Sequence, residues 1–388
     1  MSAERSLVMI PGPTNVDPSV LRALAKPTAS HVSPSFAATF KRALEDLKKV
    51  MMTSGDVFVV SGSGTLAMEM AVANIVESSD KVLVVSNGYF GDRFLDVVSR
   101  FTDGVEKLSL EWGKAADPGK IKEKLGQRNY KAVIVVHVDT STGVANDARE
   151  ISRVVKDRGA LFILDTVCSL GGMEIRVDEW GIDICLSGSQ KALAIPPGLA
   201  ILSASKEALD ARAKRKTKVQ SYYMDFENWL SVMQDPSKYF ATPPVNMIYA
   251  LAESLEMILS EGLEKRYARH AAIAKAMRSA LNKIGLRIVA EERGRADTMT
   301  AAYYPEGIDD GAFRSNMATR HGIIVAGGLG QLRGKIFRVG HMGNVAPNDL
   351  IATIGAVEAS LSQLGYSFPL GEGVGAAIES LRKSYEVR

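Results

Sequence analysis

The chain is 388 residues long, with 46% hydrophobic and 23% charged residues, the balance of an ordinary globular protein. Forty-seven Lys and Arg against 44 Asp and Glu leave a net charge of +3. This mixed surface has no polyanion-binding stripe and argues against nucleic acid as a partner. The two cysteines, Cys168 and Cys185, are too few for a zinc cluster or a disulfide framework and suit a reducing compartment.

Only residues 7–10 form an apolar run near the start, too short for a signal peptide. No stretch approaches the roughly 20 apolar residues that span a bilayer. A soluble cytoplasmic protein is expected, and the length leads one to expect two or three domains of about 150 residues.

Short Val- and Ile-rich runs follow at 57–60, 82–85, 132–136 and 160–164. They do not alternate with polar residues, so they read as strands buried on both faces of a parallel sheet. Helix-like stretches at 65–76, 94–100 and 148–158 separate them, which is the α/β pattern. Residues 182–187 and 198–203 are two further strands. The gap between them contains Pro196 and Pro197 and is too short for a crossover helix, so this pair should be antiparallel. From 244 to 283 the pattern is helical, and Glu264, Lys265, Arg266 and Arg269 read as the polar side of a long amphipathic helix. His270 on the same helix reads as structural.

Beyond Gly285 a small α+β unit is expected, with elements at 286–290, 298–304, 311–320, 336–339 and 349–364. The fold class is therefore α/β: a mostly parallel sheet with one antiparallel strand in a large domain, plus a smaller α+β C-terminal domain. We divide the chain into an N-terminal segment, 1–16, a large domain, 17–262, and a small domain, 263–388. The final twenty residues, Gly-rich and then charged, read as a loose tail. The basic run 212–218 reads as a solvated loop or helix end. Met68, Met70, Met247, Met257 and Met277 fall in helical stretches and read as core or interface filling. The five histidines lack metal-ligand spacing, so no metal is expected.

Ser61-Gly-Ser-Gly-Thr65 follows a strand and opens a helix, where free backbone N–H groups attract an anion. It is neither G-x-G-x-x-G nor a P-loop, and alone it reads better as an N-capped helix after a tight turn. Asp165 ends a buried strand, the place where open α/β sheets bind ligands; an N-cap role explains it equally well. Lys191 follows a strand among small and apolar residues, surroundings that favour a nucleophilic amine, although most lysines are surface charges. Thr140, Asp165 and Lys191 each follow a strand, 25 and 26 residues apart, the length of one strand-plus-helix unit. An anion cradle, an acid and an amine on one sheet rim suggest pyridoxal 5'-phosphate (PLP), with the Lys as Schiff base and the Asp on the pyridine nitrogen.

The motifs Pro11-Gly-Pro-Thr-Asn15, Val60-Ser-Gly-Ser-Gly-Thr65, Asn87-Gly-Tyr-Phe-Gly-Asp-Arg93 and His137-Val-Asp-Thr-Ser-Thr-Gly143 stand in order along the chain. Asp165-Thr-Val-Cys-Ser-Leu-Gly-Gly172, Ser187-Gly-Ser-Gln-Lys-Ala-Leu193, Tyr239-Phe-Ala-Thr-Pro243 and Phe337-Arg-Val-Gly-His-Met-Gly343 follow. Together they resemble the class V aminotransferases of PLP fold type I, and within them the alanine–glyoxylate and serine–pyruvate group. The resemblance implies that Lys191 carries the cofactor and moves the proton. It implies that Asp165 partners the pyridine nitrogen, and that Ser63, Gly64, Thr65 and Gln190 bind the phosphate. Phe90 would stack on the ring, where relatives often have Trp. Thr65 stands where close animal relatives have His. Thr140, or alternatively Ser141, would hydrogen-bond the ring oxygen. Tyr239 and Thr242 would reach the phosphate from the neighbouring subunit of a homodimer.

Arg338 would clamp the substrate carboxylate, a role its planar fork suits. Arg333 and Lys335 read as solvated charges, Gly327-Gly-Leu-Gly330 as a lining of the mouth, and Pro11-Gly-Pro13 as backbone passing the substrate. The implied activity is transamination from alanine or serine to glyoxylate or pyruvate. Ureidoglycine–glyoxylate and aminoethylphosphonate–pyruvate transfer on the same scaffold are alternatives. A lyase or cysteine desulfurase is another, although neither cysteine reads as a mobile thiol and Gln, not His, precedes the lysine. A non-catalytic binding protein would require a broken site, and none is visible.

Overall fold

The computed structural model describes residues 6–386. Seven strands form the main sheet: β1 (Asp56–Ser61), β2 (Val82–Ser86), β3 (Val105–Ser109), β4 (Ala132–Val136), β5 (Leu161–Asp165), β6 (Ile184–Gly188) and β7 (Leu199–Ala204). Their spatial order is β1-β7-β6-β5-β4-β2-β3. Every neighbouring pair is parallel except those made by β7, which runs antiparallel to both β6 and β1. The single reversed strand is thus the one expected from the short gap between 187 and 198. The apolar runs are continuous because both faces are covered. Val57 and Val59 pack on one side against the helices Pro34–Met51 and Val245–Glu261, while Phe58 and Val60 pack on the other against Gly64–Ile75. Each such fully buried side chain contributes about 1.5–3 kcal/mol.

One consequence positions the site. The carboxyl ends of β1, β2, β4, β5 and β6 all lie along one edge, so the segments that follow them meet there.

The helices Val245–Glu261 and Leu263–Lys283 are separated only by Gly262, whose φ of 82° lets the chain turn without a loop. Beyond it, β8 (Met299–Tyr303), β9 (Ala326–Gly327) and β10 (Ile336–Gly340) form an antiparallel sheet in the order β8-β10-β9. It packs with the helices Leu263–Lys283, Asp310–His321 and Pro347–Gln363 around a separate core.

Three expectations need correction. Residues 286–290 form no regular strand; they make an isolated bridge, Ile288 to Ala302. The C-terminal stretch is not a loose tail, because Glu372–Glu386 is a helix that packs on Leu263–Lys283 and buries Ala377 and Leu381. Residues 387–388 lie outside the described residues. Finally, Arg266 does not lie on a polar helix face: it is 2% exposed, and His270 is fully buried. Among the described residues, no helix is long and apolar enough to cross a membrane.

Candidate active site

At the carboxyl edge of the sheet lies a cavity of about 310 Å³. Ser63, Gly64, Thr65, Phe90, Thr140, Asp165, Gln190 and Lys191 all line it, brought from the ends of five strands. Gly12, Pro13, Met68, Arg93, Val136, Val138, Val167, Cys168 and Pro197 complete the wall. Tyr239 and Thr242 are not part of this cavity. Tyr239 is 45% exposed and packs edge-on against His31, with ring centroids 4.2 Å apart.

Lys191 is buried, and its ammonium donates to the Pro11 carbonyl. Thr14 Oγ1 donates to the Lys191 carbonyl at 2.8 Å, which fixes the backbone on the other side. Burial lowers the amine's pKa. Gly12 packs directly on the lysine: a Cβ there would lie 2.4 Å from Lys191 Cδ, and its φ is 89°. The proline-flanked segment, expected only to pass the substrate, therefore shapes the amine's surroundings.

Asp165 is 3% exposed, and burial pushes its carboxyl up to about 7. Its Oδ1 accepts the Val167 N–H at 2.8 Å, and Oδ2 has no protein partner among the described residues. A carboxylate held this way awaits a cationic or N–H partner from the cavity.

The phosphate-side features are also open. Ser63 is the N-cap of Gly64–Ile75, yet its side chain makes no capping hydrogen bond. Gln190 Oε1 is buried without a partner. Free N–H groups, a hydroxyl and an amide at one end, with a carboxylate and an amine elsewhere in the same cavity, suit a phosphorylated aldehyde bearing a ring nitrogen. The donor set fits PLP.

Asp139 was missed by the sequence reading although it stands inside a quoted motif. It is fully buried and caps the helix Tyr89–Val98. Its Oδ2 accepts the N–H groups of Phe90 at 3.0 Å and Gly91 at 3.3 Å, while Oδ1 accepts Ser141 N–H at 2.9 Å and Ser141 Oγ–H at 2.6 Å. Ser141 Oγ also accepts the Tyr89 N–H at 3.0 Å. Ser141 is thus committed to the scaffold, and Thr140 faces the cavity. An Asp just beyond a buried strand, ahead of hydroxyl residues and a glycine, was the available signal.

Arg93 was also missed. Its guanidinium lies over the Phe90 ring, 4.8 Å from the centroid. Met68 is core filling as expected, 2% exposed, and also lines the cavity.

Arg338, in β10, donates from Nη1 to the Thr140 carbonyl at 2.9 Å and from Nε to the Gly327 carbonyl at 2.7 Å. It therefore abuts the cavity wall and joins the sheet β8-β10-β9 to it. Nη2 has no partner among the described residues. Gly327 is a support for Arg338 and does not line the cavity. Arg333 and Lys335 are exposed. Both cysteines are buried, and burial pushes the Cys185 thiol up to about 12, so neither is a mobile nucleophile.

Comparison with known proteins agrees with this geometry. Residues 12–333 match the family described as aminotransferase class-V. The chain is similar to an uncharacterized aminotransferase of Methanocaldococcus jannaschii, 44% identical over 384 residues and covering 99% of each chain. It is also similar to the serine–glyoxylate aminotransferase of Methylorubrum extorquens, 36% identical and covering 98% of this chain and 97% of that one. The crystal structure of alanine–glyoxylate aminotransferase from Nostoc sp. superposes with a TM-score of 0.89 at 35% identity, over 92% of this chain and 95% of that one. With the match running through both Asp165 at the end of β5 and Lys191 after β6, the chain belongs to the class V aminotransferases.

Proposed function

We propose that this aminotransferase uses PLP to move the amine of alanine or serine to glyoxylate or pyruvate. The observation that carries the reading is the pairing of a buried amine, Lys191, and a buried acid, Asp165, on one cavity beside an open helix N-terminus. The relatives named for serine–glyoxylate and alanine–glyoxylate transfer support the choice of substrates. PLP supplies an electron sink that makes the substrate Cα–H acidic.

The chain's own residues do the rest. Asp165 holds a proton at the ring nitrogen. Ser63, Gly64, Thr65 and Gln190 hold the phosphate, Thr140 the ring oxygen, and Phe90 covers the ring face. Arg338 offers its unpartnered Nη2 to the substrate carboxylate, and Lys191 carries the proton to and from Cα. Burial favours the neutral, basic form of that amine.

In this reading the enzyme is a cytoplasmic homodimer, and Tyr239 and Thr242 of one copy complete the phosphate site of the other. Their surface position outside the chain's own cavity supports that, and two buried free thiols suit a reducing compartment. We place the boundary between large and small domains at Gly262.

Purified protein is expected to be yellow and to lose its visible band when alanine or serine is added alone. Lys191→Ala should abolish both the band and turnover; turnover that survives this substitution rules the reading out.

A further inference from the structure

The helix Leu263–Lys283 carries charged and titratable groups where burial is most costly. Arg266 is 2% exposed and His270 fully buried. A buried guanidinium is tolerated only when its donors are used. Arg266 Nε donates to the Gly171 carbonyl at 2.7 Å, Nη2 to the Ala192 carbonyl at 2.8 Å, and Nη1 to Glu261 Oε2 at 2.8 Å.

The two carbonyls belong to different loops. Gly171 lies in the loop that leaves β5 after Asp165, and Ala192 directly follows Lys191. Arg266 itself does not line the cavity. The neighbouring side chains hold a third segment, the one after Arg338. His270 Nε2 accepts the Gly343 N–H at 2.9 Å, and Arg269 donates to the carbonyls of Gly343 at 3.1 Å and Val345 at 3.0 Å. Glu261 pairs with both arginines.

We propose that Arg266 is a positioning residue: one guanidinium bridges the Gly171 and Ala192 carbonyls and so sets the separation of the Asp165 and Lys191 loops. The proposal rests on the reading of the cavity as a PLP site. The planar fork of Arg presents diverging donors that reach both carbonyls at once. A Lys ammonium is a compact charge on a flexible stem, and Met donates nothing. Without the bridge two buried carbonyls lose their partner, and the two loops stay joined through the strand ends, by Thr166 to the Leu186 carbonyl and Ser187 to the Thr166 carbonyl. Displacement of about 1 Å at such a site costs on the order of 100-fold in rate.

The test uses the full-length wild type, Arg266→Lys, Arg266→Met and, as a control, Arg269→Gln, each stripped of cofactor and titrated with PLP. The readouts are the PLP dissociation constant, the visible circular dichroism per bound PLP, and the melting temperature of the cofactor-free protein. Arg266→Met is expected to weaken PLP binding at least tenfold and to change the dichroism per bound PLP, with Arg266→Lys intermediate. Arg269→Gln is expected to lower the melting temperature and leave both PLP readouts unchanged. Arg266 variants that melt early but bind PLP with wild-type affinity and dichroism would overturn the proposal, because the residue would then be structural only. If Arg266→Met does not fold, Arg266→Lys decides alone, and wild-type values for it overturn the proposal. A wild type that binds no PLP overturns the cavity reading and the bridge with it; a wild type that binds while the variants match it overturns the bridge alone.

Discussion

Burial changes the chemistry of Lys191 and Asp165, lowering the pKa of the amine and raising that of the acid. For the acid this gives a pH dependence. Its pKa is raised from 3.8 to about 7 by burial, so between those values the folded protein keeps a proton that the unfolded chain has lost. The contribution of Asp165 to the stability of the cofactor-free protein is therefore lost as pH rises from about 4 to about 7, by roughly 1.4 kcal/mol per unit at most. Asp165→Asn removes that dependence. Chemical denaturation of the two cofactor-free proteins across this range should show the Asn variant gaining on wild type as pH rises. A constant difference between them would mean that Asp165 is already ionised at pH 5.

Gly12 gives a second test at this scale. Gly12→Ala forces a Cβ to 2.4 Å from Lys191 Cδ at a φ of 89°. Strain of about 1–3 kcal/mol is expected, together with a displaced amine. Stopped-flow absorbance should show slower PLP capture than in wild type. The sequence marked both Lys191 and the segment 11–13, but the contact between them spans 180 positions and follows from folding alone.

Among the elements, the helix Tyr89–Val98 is held at its start by one side chain. Asp139 caps it from another loop, and a Cβ at Gly88 would lie only 2.2 Å from the Asp139 carboxylate carbon. Asp139→Ala leaves two helix N–H groups and Ser141 without their acceptor, and should destabilise the protein by about 1–3 kcal/mol. PLP affinity should fall with it, since Phe90 sits on the first turn; urea titration and absorbance follow the two effects. The C-terminal helix is held similarly. Glu358, 3% exposed, accepts the N–H groups of Gly371 at 2.5 Å and Val374 at 3.0 Å. Glu358→Ala is expected to free Glu372–Glu386 for proteolysis well below the global melting temperature, a local opening of the kind exchange methods detect.

Six of the seven strands of the main sheet were legible because a doubly covered sheet demands unbroken apolar runs; the seventh, β3 at the edge, was not, because its half-exposed VEKLS is no such run. The C-terminal helix was not, because its glycines and charges mask a small buried face, including Ala377 and Leu381, whose value depends on the helix Leu263–Lys283 beneath it. Arg266 was assigned to a polar face for the same kind of reason. Periodicity weighs a guanidinium as solvated, and only the carbonyls of Gly171 and Ala192 make its burial tolerable.

At the scale of the whole molecule, the cavity lies at the carboxyl edge of the large sheet, and Arg338 of β10 bonds both the Thr140 carbonyl at its wall and the Gly327 carbonyl. In the proposed dimer a second copy adds Tyr239 and Thr242. Sedimentation should give twice the mass of one chain, and Tyr239→Phe should weaken PLP without dissociating the dimer. A monomer with full PLP affinity would remove the shared site. The sequence by itself determined six of the sheet's seven strands, the one reversed strand, and Asp165 and Lys191 at the carboxyl edge, because burial on both faces and the spacing of strand-plus-helix units are local patterns written along the chain. Only the tertiary structure decided which polar groups are already spent on the scaffold and which remain open. Ser141 is committed and Thr140 faces the cavity; Asp139 serves a helix while Asp165 waits for a partner. These distinctions depend on hydrogen bonds between segments far apart in sequence, and no local pattern encodes who their partners are.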